Sequence, residues 1–155
     1  MEPEVRTVPI EHAIWGRSLR HDPAKGFGEE IMALLGRVWP VIKANAIPND
    51  GINRVVYERE GDGGECTVFA GVALRKGAGV DLAAVGELER KMVRLTRYAY
   101  WKHIGPYRLI PATGAAMTRA LAGRGVRTGW PMVEVYGHWC EDESKLEVET
   151  FVEVG

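Results

Sequence analysis

Cysteine is scarce in this chain of 155 residues: Cys66 and Cys140 are its two cysteines, and neither has Cys or His neighbours at the spacing of a zinc site. A disulfide framework is excluded, and both are read as reduced strand residues. An excess of positive charge is missing as well. Lys and Arg total 20 against 21 Asp and Glu, a formal charge of -1, which lacks the electrostatic footprint of a direct nucleic-acid binder. No run approaches the ~20 apolar residues that cross a bilayer. The start, Met1-Glu2-Pro3-Glu4-Val5, has no basic region followed by an apolar one, so no secretory signal is read and a cytoplasmic location is expected. The histidines His12, His21, His103 and His138 show no His-Glu-x-x-His spacing. Gly77-Ala78-Gly79 and Gly123-Arg124-Gly125 lack the spacing and Lys of a phosphate loop and read as turns. No metal and no other cofactor is expected. Arg17, Arg20, His21 and Lys25 gather beside Asp22-Pro23 in what reads as a solvated loop.

What is present is a globular composition, 46% hydrophobic and 26% charged, in a length suited to one domain spanning 1–155. Val5 to Trp15 is β-rich, and Phe27, Ile31, Leu34, Leu35, Val38 and Ile42 recur at helical spacing. Pro40 should kink or close that helix, which should end by about Asn45, before the turn chemistry of Pro48-Asn49-Asp50-Gly51. Asn53 to Glu60 and Cys66 to Arg75 read as a hairpin around Gly61-Asp62-Gly63-Gly64. The order then repeats. Lys91 to His103 reads as a strand, Pro111 to Gly123 as a helix, and Val133 to Cys140 with Leu146 to Val154 as a second hairpin around the acidic tip 141–145.

The two halves, about 1–80 and 86–155, also resemble each other. His12-Ala13-Ile14-Trp15 is similar to Tyr98-Ala99-Tyr100-Trp101, Asn53-Arg54-Val55-Val56-Tyr57 to Met132-Val133-Glu134-Val135-Tyr136, and Phe69 matches Phe151. The expected fold class is therefore α+β: duplicated β-α-β-β units form one antiparallel sheet with two helices on one face and a central ligand groove, the sheet's other face and its seam being left open.

Chemistry is sought on the strands. In the last segment Leu146, Val148, Thr150, Val152 and Val154 point one way and Glu147, Glu149, Phe151 and Glu153 the other, an acidic side carrying one aromatic ring. Trp and Tyr make up 10 of the 13 aromatics, and Trp15, Tyr57, Tyr98, Tyr100, Trp101, Tyr136 and Trp139 fall on expected strands. Such rings attract a cation through their quadrupoles, and a carboxylate among them is costly until a positive guest neutralises it. A neutral analogue of equal shape would leave that carboxylate unpaired.

Arg97-Tyr98-Ala99-Tyr100-Trp101-Lys102-His103-Ile104-Gly105-Pro106-Tyr107 resembles the strand-to-helix signature of GyrI-like small-molecule-binding domains, and Gly71-Val72 and Pro131 to Tyr136 look like strands of that family. The resemblance implies a duplicated sheet with a central groove, found as the effector-binding part of AraC-like and MerR-like multidrug-responsive activators and as stand-alone proteins. It also implies a glutamate on the last strand that meets cationic ligands. Leu146-Glu147-Val148-Glu149-Thr150-Phe151-Val152-Glu153 places Glu149 on that glutamate and Phe151 on an aromatic position, with Val148 and Glu153 where Thr and Pro are usual. Aligning Phe69 with Phe151 sets Thr67 against Glu149, so one half alone carries this charge.

The expected function is binding of a hydrophobic, cationic and aromatic small molecule, with Glu149 as counter-charge and Tyr136, Trp101, Phe151, Trp15, Tyr57 and Trp139 as the walls. One alternative, implied by some relatives, is a hydrolase of cyclopropane-containing genotoxins using Glu149 and Tyr136. Another is a protein partner, as for the gyrase-inhibiting namesake, held by Glu141, Asp142, Glu143, Glu147 and Glu153. His103 reads as a structural hydrogen-bonding residue. No membrane contact is expected, and the chain is expected to have no room for its own helix-turn-helix. Oligomeric state is not read from the sequence.

Overall fold

The structure, a computed structural model, describes residues 1–59, 64–74 and 86–155. Its elements are β1 (Glu4–Arg6), β2 (Ile10–Arg20), α1 (Phe27–Ala44), β3 (Asn49–Arg59), β4 (Cys66–Leu74), β5 (Glu89–Leu95), β6 (Tyr98–Ile104), α2 (Ile110–Ala122), β7 (Thr128–Tyr136) and β8 (Glu147–Val154). The strands form one antiparallel sheet in the order β1-β6-β8-β7-β3-β4-β2-β5. This is the α+β class expected. Strands β2, β3 and β4 of the first repeat fill one half of the sheet and β6, β7 and β8 of the second fill the other, meeting where β3 pairs with β7, while β1 and β5 each cross to the outer edge of the other repeat's half. The alignment that equates Tyr57 with Tyr136 also equates Val55 with Glu134, and these two residues face each other directly on that central pairing.

One rung runs Ala99, Val152, Met132, Tyr57, Val68 across five strands, and the helices share the face it defines. Over one end of this rung α2 buries Met117 and Leu121 against Ala99, Trp101, Val152 and Val154. Over the other, α1 buries Ile31, Leu34, Val38 and Ile42, its apolar stripe, against Val55, Val68, Ala70 and Val72. Each such buried aliphatic side chain contributes roughly 1.5–3 kcal/mol. Between the helices lies the seam of the repeats.

Several expectations change. Helix α1 ends at Ala44, as expected, but Pro40 lies inside it and does not close it. Lys91 to His103 is not one strand: β5 pairs with β2, β6 pairs with β8, and Thr96-Arg97 separates them. The apolar alternation of Val93 and Leu95 fails at that polar pair and resumes at Tyr98, so the chain leaves one half of the sheet and enters the other. Arg17 and Arg20 lie in β2 rather than a loop. Strand β7 begins at Thr128 and ends at Tyr136, which leaves Trp139 off the sheet. The tip 61–63 and Gly77-Ala78-Gly79 fall outside the described residues.

The face away from the helices was expected to be open, and its centre is not. The sheet curls, so that His12 on β2 meets Phe151 on β8, ring centroids 5.2 Å apart, although β4, β3 and β7 lie between them in the sheet. Ile14, Val56, Phe69, Val93, Leu95, Tyr98 and Val133 are buried in this second core. Curling of a strongly twisted sheet gives it two cores with one helical layer.

Candidate functional site

The seam carries a charge at its centre. Glu134 stands on the helix-covered face of β7, flanked along its rung by Thr150 and Val55. It is 4% exposed. Its Oε1 accepts hydrogen bonds from the hydroxyls of Tyr57 at 2.6 Å and Tyr136 at 3.1 Å. Among the described residues no Lys or Arg pairs with it. Burial holds the Glu134 carboxyl above the usual range, outweighing the opposing effects of the two phenols and of nearby His103. Both phenols are in turn pushed well above their ordinary value by burial first and by Glu134 second.

Aromatic rings extend this cluster toward both helices. Phe27, the first residue of α1, meets Tyr57 edge to face at 5.4 Å, and Tyr107, in the 3-10 turn before α2, meets Tyr136 likewise at 5.3 Å. Beside Met132, which is two residues from Glu134 on the same face, a cleft of ≈ 240 Å³ opens between α2 and the start of β7. Trp101, Trp130, Met132 and Val152 line it, and Gly114 and Ala115 on α2 leave the space. A buried acid, four aromatic rings and an adjoining apolar cleft together suit a guest with a positive group and a hydrophobic body.

Local contacts fix the two ends. His103, 3% exposed, has Nε2 at 3.0 Å from the Pro106 carbonyl and Nδ1 at 2.8 Å from the Thr113 hydroxyl. A carbonyl can only accept, so in the neutral ring Nε2 donates and Nδ1 accepts from Thr113. The imidazole thus ties β6 to the turn that presents Tyr107, and Gly105 enters this turn at φ 132°, a conformation side chains rarely adopt. His103→Ala is expected to cost about 2 kcal/mol and lower the melting temperature by roughly 5 °C, read by differential scanning calorimetry. At the other end His21 stacks on Phe27 with centroids 3.9 Å apart, and its Nδ1 lies 2.5 Å from Oε1 of buried Glu30. His21 is therefore packed, not solvated.

The expected site residues do not converge on one place. Tyr57 and Tyr136 meet on Glu134, and Trp101 lines the neighbouring cleft. Trp15 packs with Val38, Ile42 and Val72 under the far half of α1, and Trp139 is 70% exposed. Glu149 and Phe151 lie on the opposite face of the sheet. There Glu149 accepts from the Tyr100 hydroxyl at 2.5 Å, and Phe151 packs against His12, Tyr98 and Tyr100. Burial and Glu149 push the Tyr100 phenol up to about 12. The separation follows from pleating: Tyr136 pairs with Val148, so its side is that of Val148 and Thr150, and Glu149 points the other way. Glu134 was missed although it lies within the run Pro131 to Tyr136. Its signal was available: an acid between Met132 and Tyr136 shares their face, the face of Tyr57 in the equivalent strand.

No protein-family model matches the chain, and no curated protein matches it. Solved structures do. The chain is similar to the EcmrR C-terminal domain at 13% identity and TM-score 0.69, covering 99% of this chain and 97% of that one. It is similar to SAV2435, whose structure is bound to tetraphenylphosphonium, at 15% identity and TM-score 0.67, covering 100% and 94%. A hydrolase from Listeria innocua shares 15% identity at TM-score 0.51, covering 99% and 92%. The protein therefore shares the fold of the EcmrR C-terminal domain and of SAV2435. The likeness extends over essentially the whole described chain, as the signature at Arg97 to Tyr107 implied.

Proposed function

We propose that the protein binds a hydrophobic organic cation in the seam between its helices, with Glu134 as the counter-charge, Tyr57, Tyr136, Tyr107 and Phe27 as the surrounding rings, and the Trp101 cleft taking the apolar body. One observation carries this reading: a carboxyl that is 4% exposed has only phenols for partners among the described residues. A positive guest supplies what the fold withholds. Tetraphenylphosphonium bound to SAV2435, a structure of the same fold, supports it. Glu149 has its own partner on the other face, so it is not part of this pocket. Titration with tetraphenylphosphonium, followed by tryptophan fluorescence, tests the assignment. Glu134→Gln is expected to weaken binding about thirtyfold, ~2 kcal/mol, as for removal of one partner from a desolvated pair, and Glu149→Gln to leave it unchanged. The reverse pattern returns the role to Glu149.

A second reading has its own support. The neighbour described as a hydrolase shares the fold, and an acid held above its usual range beside two phenols is suited to proton transfer. On this reading Glu134 and Tyr136 open a strained ring. Incubation with a cyclopropane-containing genotoxin gives a ring-opened alcohol if it holds, and returns the compound intact if the protein only binds.

A further inference from the structure

We propose that this site exchanges a proton for its guest: Glu134 carries a hydrogen in the empty protein and releases it to solvent as the ligand's positive group arrives. The inference rests on the cation-binding reading and concerns how occupancy of that same site is regulated.

The geometry points this way because, among the described residues, no element around Glu134 gives it a positive partner. From β3 it meets Tyr57, and from β7 itself Tyr136, both neutral hydroxyl donors to Oε1. Strand β8 offers Thr150, and Tyr107 stands beyond Tyr136. His103 on β6 is the titratable base whose charge would act on Glu134, and both of its nitrogens are engaged elsewhere, with Pro106 and Thr113. The acid on the neighbouring helix, Glu30, is turned to His21 and to the Asp22 amide. A carboxylate so buried is costly, whereas the carboxylic acid is not, and the desolvation that raises the Glu134 carboxyl acts in the same sense.

The exchange balances simply. The Glu134 O–H bond breaks, its electron pair stays on the carboxylate, the proton goes to water, and the carboxylate pairs with the cation. No other bond changes. Because the acid's folded value is raised, the hydrogen is present at lower pH and must be displaced there. Affinity for a permanent cation therefore rises with pH, by about tenfold per unit, and levels off once Glu134 is ionised in the empty protein. A neutral guest of the same shape should show no such slope.

Calorimetric titration with tetraphenylphosphonium across a series of pH values, each in two buffers of different ionisation enthalpy, counts the protons. The wild type is expected to release a proton count that approaches one per cation toward acid pH, and to bind progressively tighter toward higher pH. Glu149→Gln should keep that behaviour, and Glu134→Gln should bind more weakly, release none and show a flat profile. Far-UV circular dichroism checks that Glu134→Gln is folded, and the wild-type proton count stands without it. Binding weakened by Glu134→Gln but with neither proton release nor a pH slope in the wild type overturns the exchange and leaves the cation site standing. No binding, or equal binding by Glu134→Gln, overturns both.

Discussion

Gly16→Ala and Gly71→Ala are each expected to destabilise the fold by on the order of 4 kcal/mol and to lower the melting temperature by roughly 10 °C or more. The two glycines pair directly across β2 and β4. A methyl group on Gly16 would overlap the Ala70 carbonyl oxygen, and one on Gly71 the Trp15 carbonyl oxygen. Both obstacles are backbone, so no rotamer change relieves them. The strands must separate, breaking ladder bonds beneath α1 and loosening Trp15 and Val72 in the core between sheet and helix. Gly36→Ala makes the matching control. Nothing lies within 4 Å of an added Cβ there, and within α1 the change should stabilise by up to ~1 kcal/mol. Thermal denaturation of the three variants measures the contrast, and a Gly16→Ala protein as stable as wild type would contradict the close approach.

Glu30→Ala is expected to cost about 3 kcal/mol in urea denaturation at neutral pH, the lower end of what removing one member of a buried pair costs. Glu30 is 3% exposed in the first turn of α1, bonded to His21 Nδ1 and, at 2.9 Å, to the Asp22 amide. Although burial works against it, these contacts hold its carboxyl below the ordinary value of 4.5. A depressed folded value stabilises the protein at pH above the unfolded one. That contribution is lost as pH falls from about 4.5 through the folded value. The stability gap between wild type and Glu30→Gln should therefore narrow below this pH. A gap that stays constant would show that charge at Glu30 plays no part. Because Glu30 holds His21, and His21 is stacked on Phe27, the same variant should also soften the wall beside Tyr57.

Much of the fold was legible because its signals are local. The stripe from Phe27 to Ile42 and the signature from Arg97 to Tyr107 name their elements directly, and the likeness of Tyr57 to Tyr136 pointed to the duplication. Long-range facts were less accessible. Alternation within β8 separated Glu149 from Thr150 correctly, yet it could not say which side of the sheet held Tyr136, because that depends on the pairing of Tyr136 with Val148. Choosing Glu149 followed from its place on the last strand, and from an expectation that the face away from the helices is open. The curl that brings His12 to Phe151 removes that opening, and no short window of sequence encodes it.

The opposition of Val55 and Glu134 has one more consequence. Two equivalent halves meeting on a dyad would present a guest with identical surroundings left and right, so that it could lie either way round. An acid facing a valine on the central rung abolishes this equivalence, and under the proposed function it would hold one guest per chain in one orientation. Val55→Glu would restore the symmetry with two facing acids, a pair suited to a dication or to a shared proton rather than to a single positive charge.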